Sequence, residues 1–402
     1  MTTVKATSIL LPKEDADLFK YSCVACDQFT GDKEYWQQVD ALAKDAFSTY
    51  NLTFPEIYLS EDNSQRIKKI NENMNSYLEQ GLFREINDAV IYVERTLDNG
   101  KVRRGIVLAC DLEEYEYKKG TKSLIRPTEG TIEDRLPPRV KIRENAPLEL
   151  PHIMLLVNDE QKLLIEQINK NNLTLLYETD LMQNGGSIKG WLLNKNEQNR
   201  IFETLLKTDC KNGDDIIRLA VGDGNHSLAT AKKCWENLKT TLTEEEKLTH
   251  PARYALCEIV NLHDEALDFE PIHRVLYDID VDAFIKVLND NFDKNGQKIT
   301  VIFEENQKDF YLSPLHYLTV GTIQNIIDAY LSENKGVVDY IHEPEQVIKN
   351  AKSKNTVGIL IPSLDKKDLF PAVLQNGALP RKTFSMGMGI DKRYYFEARK
   401  IK

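Results

Sequence analysis

Hydrophobic positions recur along this chain at two spacings, and the elements they predict alternate from beginning to end. Residues 8–11 read as a short strand stopped by Pro12. Trp36, Val39, Ala43, Ala46, Phe47 and Tyr50 share a helical face over 34–50. A second helix spans 65–80, with Ile67, Ile70, Met74 and Leu78 inward and Gly81 as its stop. Residues 89–112 read as a β-hairpin around Asp98-Asn99-Gly100. Strand and helix patterns then follow in turn: strand 152–157, helix 160–170, strand 173–178 and helix 196–206. Thr243 and Glu246 form a capping-box pair, and 252–261 reads as a buried strand. Helix 281–291, strand 299–303, helix 322–331, strand 337–341, helix 344–351, strand 356–361 and a last strand over 392–399 complete the order. This alternation predicts an α/β fold with mixed α+β layers. No repeat or linker interrupts it, so 1–402 reads as one compact unit. Its parts would be an N-terminal one (1–150), a middle one (151–275) and a C-terminal one (276–402).

One stretch combines these patterns in a way that suggests chemistry. Ile216 to Val221 reads as a buried strand, Gly222-Asp223-Gly224-Asn225 breaks it, and Leu228, Ala231, Trp235 and Leu238 define one face of a following helix. A strand turning sharply into a helix leaves unpaired N–H groups at the helix start, a natural pocket for an anion. Asp223, Asn225, His226 and Ser227 stand at its rim. The pattern is neither a P-loop nor GxGxxG, and a capped helix start reads equally well from these residues alone.

Two other stretches carry anion-binding residue types. Five of the chain's fourteen prolines fall between Pro127 and Pro151, which argues against a long regular helix there. Between Lys118 and Arg143 eight bases face only Glu129, Glu133 and Asp134. The segment reads as a solvated basic loop or as a clamp in which Arg126 and Arg139 fork onto phosphate or carboxylate oxygens. Glu129 is either a general base or the ion-pair partner of Arg126. Near the end, residues 379–387 gather Arg381, Lys382, Thr383, Ser385 and Gly387, types that bind phosphate but also make surface turns.

Composition narrows the function classes. A formal charge of −11 disfavours nucleic acid and anionic membranes as partners. No apolar run approaches the roughly 18 residues of a membrane span. The first fifteen residues lack a signal-peptide pattern, and six scattered cysteines form no disulfide framework, so a cytoplasmic protein is expected. Cys23 and Cys26 form a lone CxxC without a second ligand pair, so no structural metal is expected.

Five stretches together carry a family resemblance: ILLPKE, VACDQFTGDKEYW, SLIRPTEGTIEDRLPPRVKIRENAPLELPHI, VGDGNHS and LPRKTFSMG. They resemble a large prokaryotic family classed as a domain of unknown function. That family is similar to the ParB/sulfiredoxin fold and to SerK-type free-serine kinases, which implies a nucleotide-binding core with large insertions. In those kinases an Asp-Gly-His-His-Arg-like turn holds nucleotide phosphates and an N-terminal glutamate acts on the serine hydroxyl. Carried over, Asp223, Gly224 and His226 match the turn, and Glu14 matches the glutamate. Asn225 replaces the first histidine and Ser227 the arginine, so Arg126, Arg139 or Arg381 would have to supply the missing charge.

The resemblance implies a nucleotide-dependent phosphotransferase acting on a small hydroxyl substrate such as free L-serine. Mg²⁺ with ADP or ATP is the expected cofactor set, with Asp223 as metal ligand, and Glu14, Glu129 and His226 are the expected catalytic residues, Glu14 or Glu129 as base. Asp223, Gly224, Asn225, His226, Ser227, Arg126, Arg139, Arg381 and Lys382 are the expected phosphate-binding residues. Two alternatives remain at this level: a nucleotide-binding switch or hydrolase without an amino-acid acceptor, and a non-catalytic binding or scaffold protein. A homo-oligomer is compatible with all three.

Overall fold

The computed structural model describes residues 3–59, 63–380 and 382–402. The chain divides into two compact units. The first comprises 1–127, 131–267 and 388–402, and the second comprises 128–130 and 268–387.

The first unit is built on a mixed sheet. Its strands run in the order Ile125–Pro127, Leu219–Asp223, Met154–Val157, Tyr254–Asn261, Val102–Asp111, Ile91–Thr96, Ser187–Leu192 and Thr174–Asp180. Val4–Lys5 also pairs with Val102–Asp111. Two pairings are parallel, Ile125–Pro127 with Leu219–Asp223 and Met154–Val157 with Tyr254–Asn261. Alternate residues of these strands feed two cores, one on each face. Ile91, Val93, Val107 and Leu256 join Trp36, Tyr394 and Phe396 in one core. Tyr92, Ile106, Leu108 and Cys257 join Leu228, Ala231 and Trp235 in the other.

The second unit has an antiparallel five-stranded sheet in the order Asn306–Leu312, Phe292–Phe303, Val357–Leu360, His273–Tyr277 and Val337–Ile341. Its longest described helix is Thr319–Glu333, whose buried residues include Ile323, Ile326, Ile327 and Tyr330. Phe269–Pro271 pairs with Phe384–Met386.

The α/β alternation predicted from hydrophobic spacing is the observed fold class, and the differences are local. The boundary expected at residue 150 falls inside the first unit, and the tail from Met388 onward belongs to that unit too. Hydrophobic spacing registers neither long-range return. The expected helix at 34–50 ends at Ala43 and resumes as a single 3₁₀ turn, Thr49–Leu52. The expected helix at 160–170 is a run of turns. Asp159 Oδ2 accepts from Leu164 N at 2.7 Å, Lys162 has φ +54°, and Arg200 takes the carbonyls of Leu163 and Leu164. The strand expected over 392–399 shrinks to Arg399–Lys400, because the residues before it send Tyr394, Tyr395 and Phe396 into the core.

Two further differences bear on the site. The strand expected over 216–221 is cut at Arg218. That side chain turns inward to Asp209 (2.7 Å) and Thr3, leaving Asp215–Ile217 in a hairpin and Leu219–Asp223 in the main sheet. The proline-rich basic segment contains a helix, Leu136–Arg143, with prolines in its first turn. There a missing N–H costs nothing. This helix packs against Asn225–Lys239.

Candidate functional site

The turn joining Leu219–Asp223 to the fifteen-residue helix Asn225–Lys239 is the centre of the site. Gly224 sits at φ +76°, and a Cβ there would approach Ile153 Cα to 3.0 Å. Only glycine meets both demands cheaply. Asp223 closes the turn: Oδ1 accepts from Gly224 N at 2.9 Å, and Oδ2 lies 3.3 Å from Lys392 Nζ. No side chain at the cap position satisfies the first N–H groups of the helix. Two side-chain atoms of its first turn, Asn225 Oδ1 and His226 Nε2, are buried without a hydrogen-bond partner among the described residues. Buried polar atoms are normally satisfied, so Oδ1 is left to accept from, and Nε2 to donate to or accept from, a group outside the chain.

The packing of Leu136–Arg143 brings positive charge to this turn. Burial, followed by the guanidinium groups of Arg139 and Arg135, pushes the His226 imidazole down to about 4. It is therefore neutral near pH 7. Arg139 is itself held by Glu56, with Nε to Oε1 at 2.8 Å and Nη2 to Oε2 at 2.5 Å.

Ser227, the next residue of the turn, meets a different environment. His152 Nε2 lies 3.2 Å from Ser227 Oγ and 3.3 Å from Asp27 Oδ2, while His152 Nδ1 lies 2.8 Å from the Tyr395 hydroxyl. Burial opposes a charge on His152, but Asp27, then Asp223 and Glu56, outweigh it and raise the imidazole above its ordinary value. Burial likewise opposes ionisation of Asp27, and the His152 charge overcomes it, holding the carboxyl far below the usual range. A cavity of about 140 Å³ opens beside His152. It is lined by apolar groups such as Leu52, Phe54, Met74 and Ile142, with Ser227 and Thr230 among its polar ones.

The remaining expected residues are distributed as follows. Arg126 is 3% exposed, and its guanidinium is held by Asp215, Ser123 O (2.8 Å) and Ile216 O (3.0 Å). Its neighbour in the sheet is Ala220, so it braces the strand leading to the turn. Glu14 has an 86% exposed side chain, 3.2 Å from Arg84 Nη1. Glu129 and Lys382 belong to the second unit, where Lys382 N donates to Glu129 Oε1 at 3.2 Å. Arg381 lies outside the described residues. The thiol of Cys23 is pushed up to about 11 by burial, and that of Cys26 well above its ordinary value. Protonated thiols are poor metal ligands. Among the described residues, no three His, Cys, Asp or Glu side chains converge as a metal site would require.

Sequence reasoning missed Asp27, His152, Arg135, Lys392 and Tyr395 as neighbours of the turn. Asp27, His152 and Arg135 all lie within the motifs quoted above, but nothing in their spacing joins them to residue 226.

Among solved structures the chain is similar to a conserved hypothetical protein from Pyrococcus furiosus, at 12% identity and a TM-score of 0.36. That match covers 75% of this chain and 97% of the other. It is also similar to a free serine kinase in complex with AMP, at 12% identity and a TM-score of 0.39, over 74% of this chain and 92% of that one. The truncated SbnI from Staphylococcus aureus gives 11% identity and a TM-score of 0.35, covering 70% and 83%. No curated protein matches the chain. No helix among the described residues is long and apolar enough to cross a membrane. The family profile described as "Protein of unknown function (DUF1015)" matches residues 7–397, and the chain belongs to that family.

Proposed function

We propose that this protein is a nucleotide-dependent phosphotransferase whose acceptor is a small hydroxyl compound such as free L-serine. The observation that carries the reading is the first turn of Asn225–Lys239, where N–H groups without a side-chain cap lie beside the partnerless His226 Nε2. Backbone N–H groups at a helix start, with the dipole behind them, attract phosphate oxygens. His226, neutral near pH 7, offers one ring N–H to such an oxygen and becomes a cation if the phosphate's charge draws in a proton. Arg139 and Arg135 place positive charge on the same side. The resemblance of Asp223-Gly224-Asn225-His226 to the phosphate-holding turn of SerK-type kinases points the same way.

Both Asp223 oxygens are engaged, one by Gly224 N and one by Lys392. Magnesium usually arrives with its phosphates and takes only one or two protein carboxylates. Asp223 Oδ2, released from Lys392, would suit that arrangement, and the ion would neutralise charge on the transferring group.

The test is calorimetric titration with ADP, ATP and CTP in the presence of Mg²⁺. Phosphorus NMR of a reaction with L-serine then reads transfer. Saturable binding with formation of phosphoserine is expected. Absence of binding by all three nucleotides contradicts the proposal, and loss of the terminal phosphate without serine reduces it to hydrolysis.

A further inference from the structure

We propose that Asp27 is the carboxylate that receives the acceptor's proton, with His152 as its positioning residue. This rests on the phosphotransferase reading above and assigns a residue to one of its roles. Phosphoryl transfer asks little covalent work of a protein, and a carboxylate that orients the attacking hydroxyl must above all be fixed in place.

Asp27 is fixed and Glu14 is not. The Asp27 side chain is 27% exposed against 86% for Glu14. Gln28 Nε2 donates to Asp27 Oδ1 at 2.9 Å, and His152 Nε2 lies 3.3 Å from Oδ2. An ionised carboxylate has about four acceptor sites, so these two leave others for a substrate hydroxyl. His152 is held in turn by Tyr395, whose hydroxyl accepts from Cys26 N at 3.1 Å, one residue before Asp27. The same His152 nitrogen lies 3.2 Å from Ser227 Oγ. The carboxylate is thus one shared imidazole away from the turn that would hold the phosphates.

The arrangement is not a Ser-His-Asp triad. In a Ser-His-Asp triad the serine and the aspartate occupy opposite ring nitrogens. Here both meet Nε2, so Asp27 does not orient His152 toward Ser227 as a triad aspartate would.

The step balances without further reagents. The acceptor's hydroxyl oxygen bonds to the terminal phosphorus of a nucleoside polyphosphate, and the bond from that phosphorus to the bridging oxygen breaks. Its electron pair leaves with the shortened nucleotide. The hydroxyl proton becomes strongly acidic only as the new oxygen–phosphorus bond forms, and then passes through the weakly basic Asp27 carboxylate to water.

The experiment compares Asp27→Asn, Asp27→Glu and Glu14→Gln in the full chain, with ADP or ATP, Mg²⁺ and L-serine. Asp27→Asn keeps a hydrogen-bonding side chain but is no base, so kcat is expected to fall about 100-fold or more. Nucleotide affinity should stay within about threefold, since the turn itself is untouched. Asp27→Glu should recover part of the lost kcat. Near-normal kcat in Asp27→Asn overturns the assignment, as does equal loss of kcat and nucleotide binding. A larger loss in Glu14→Gln than in Asp27→Asn returns the role to Glu14. Failure of the unmodified protein to bind any nucleotide overturns the phosphotransferase reading itself, which the binding titration detects before any variant is made.

Discussion

Two histidines border the same helix start, and their surroundings drive them in opposite directions. His226 lies on the side served by Leu136–Arg143, where burial and two arginines push its imidazole down to about 4. His152 lies against Asp27, with Asp223 and Glu56 close enough to raise it despite full burial. Both rings are buried enough that desolvation disfavours charge, so the neighbours decide the difference. One side of the turn therefore presents a neutral ring among cations, suited to an arriving anion. The other presents a pre-formed ion pair. Surroundings that drive the titration of like groups apart give them different acid–base roles.

The comparison can be broken most severely at His226. His226→Ala should weaken nucleotide binding and abolish phosphate transfer, a loss of roughly 100-fold or more if the ring meets a phosphate oxygen. Unchanged transfer would remove the anion-binding side of the contrast. Arg139→Ala comes next. It leaves Glu56 without its partner, at a cost of about 1–3 kcal/mol in denaturant unfolding, and lets the His226 imidazole rise from about 4 toward its ordinary value. A His226 titration that stays put in this variant would mean that burial alone sets it.

Gly224→Ala forces an alanine into the left-handed region and against Ile153. It should cost about 1–2 kcal/mol and loosen the turn on which both histidines depend. The pH dependence of stability gives the smallest effect. His226 has a folded value below its unfolded one, so its contribution is complete above about 6.5 and is lost as pH falls toward about 4. His152 has the opposite sign: its contribution is complete below 6.5 and is lost as pH rises through its raised value. Stability curves of His226→Gln should therefore be flatter on the acid side, and a curve as steep as that of the unmodified protein would contradict the depressed value.

Much of the scaffold was legible because it depends on local spacing. The hairpin around Asn99 and Gly100 and the helix Ser64–Glu79 lie where their patterns placed them. The capping box at Thr243 is present as well. What failed locally was overridden by distant groups, as at Leu163 and Leu164, whose carbonyls Arg200 takes from a neighbouring helix. The turn at Gly222–Ser227 was readable because its glycines, charge and helix lie within a few residues of one another. Its neighbours were not. Asp27 and His152 are separated by more than a hundred residues, and Lys392 arrives on a tail that returns across the first unit. The basic segment was recognised by charge, yet charge alone could not sort its arginines. Arg126 is spent on Asp215 and two carbonyls away from the turn, whereas Arg139, though paired with Glu56, lines the cavity beside it.

The most direct test is a nitrogen-15 NMR titration of the histidine rings, with and without saturating ADP and Mg²⁺. Phosphate bound at the helix start should lift the His226 imidazole from about 4 toward or beyond its ordinary value, by offsetting the arginines that depress it. His152, already paired with Asp27, should move far less. A His226 titration identical in the two conditions, at nucleotide concentrations up to the millimolar range, would contradict a phosphate site at this turn.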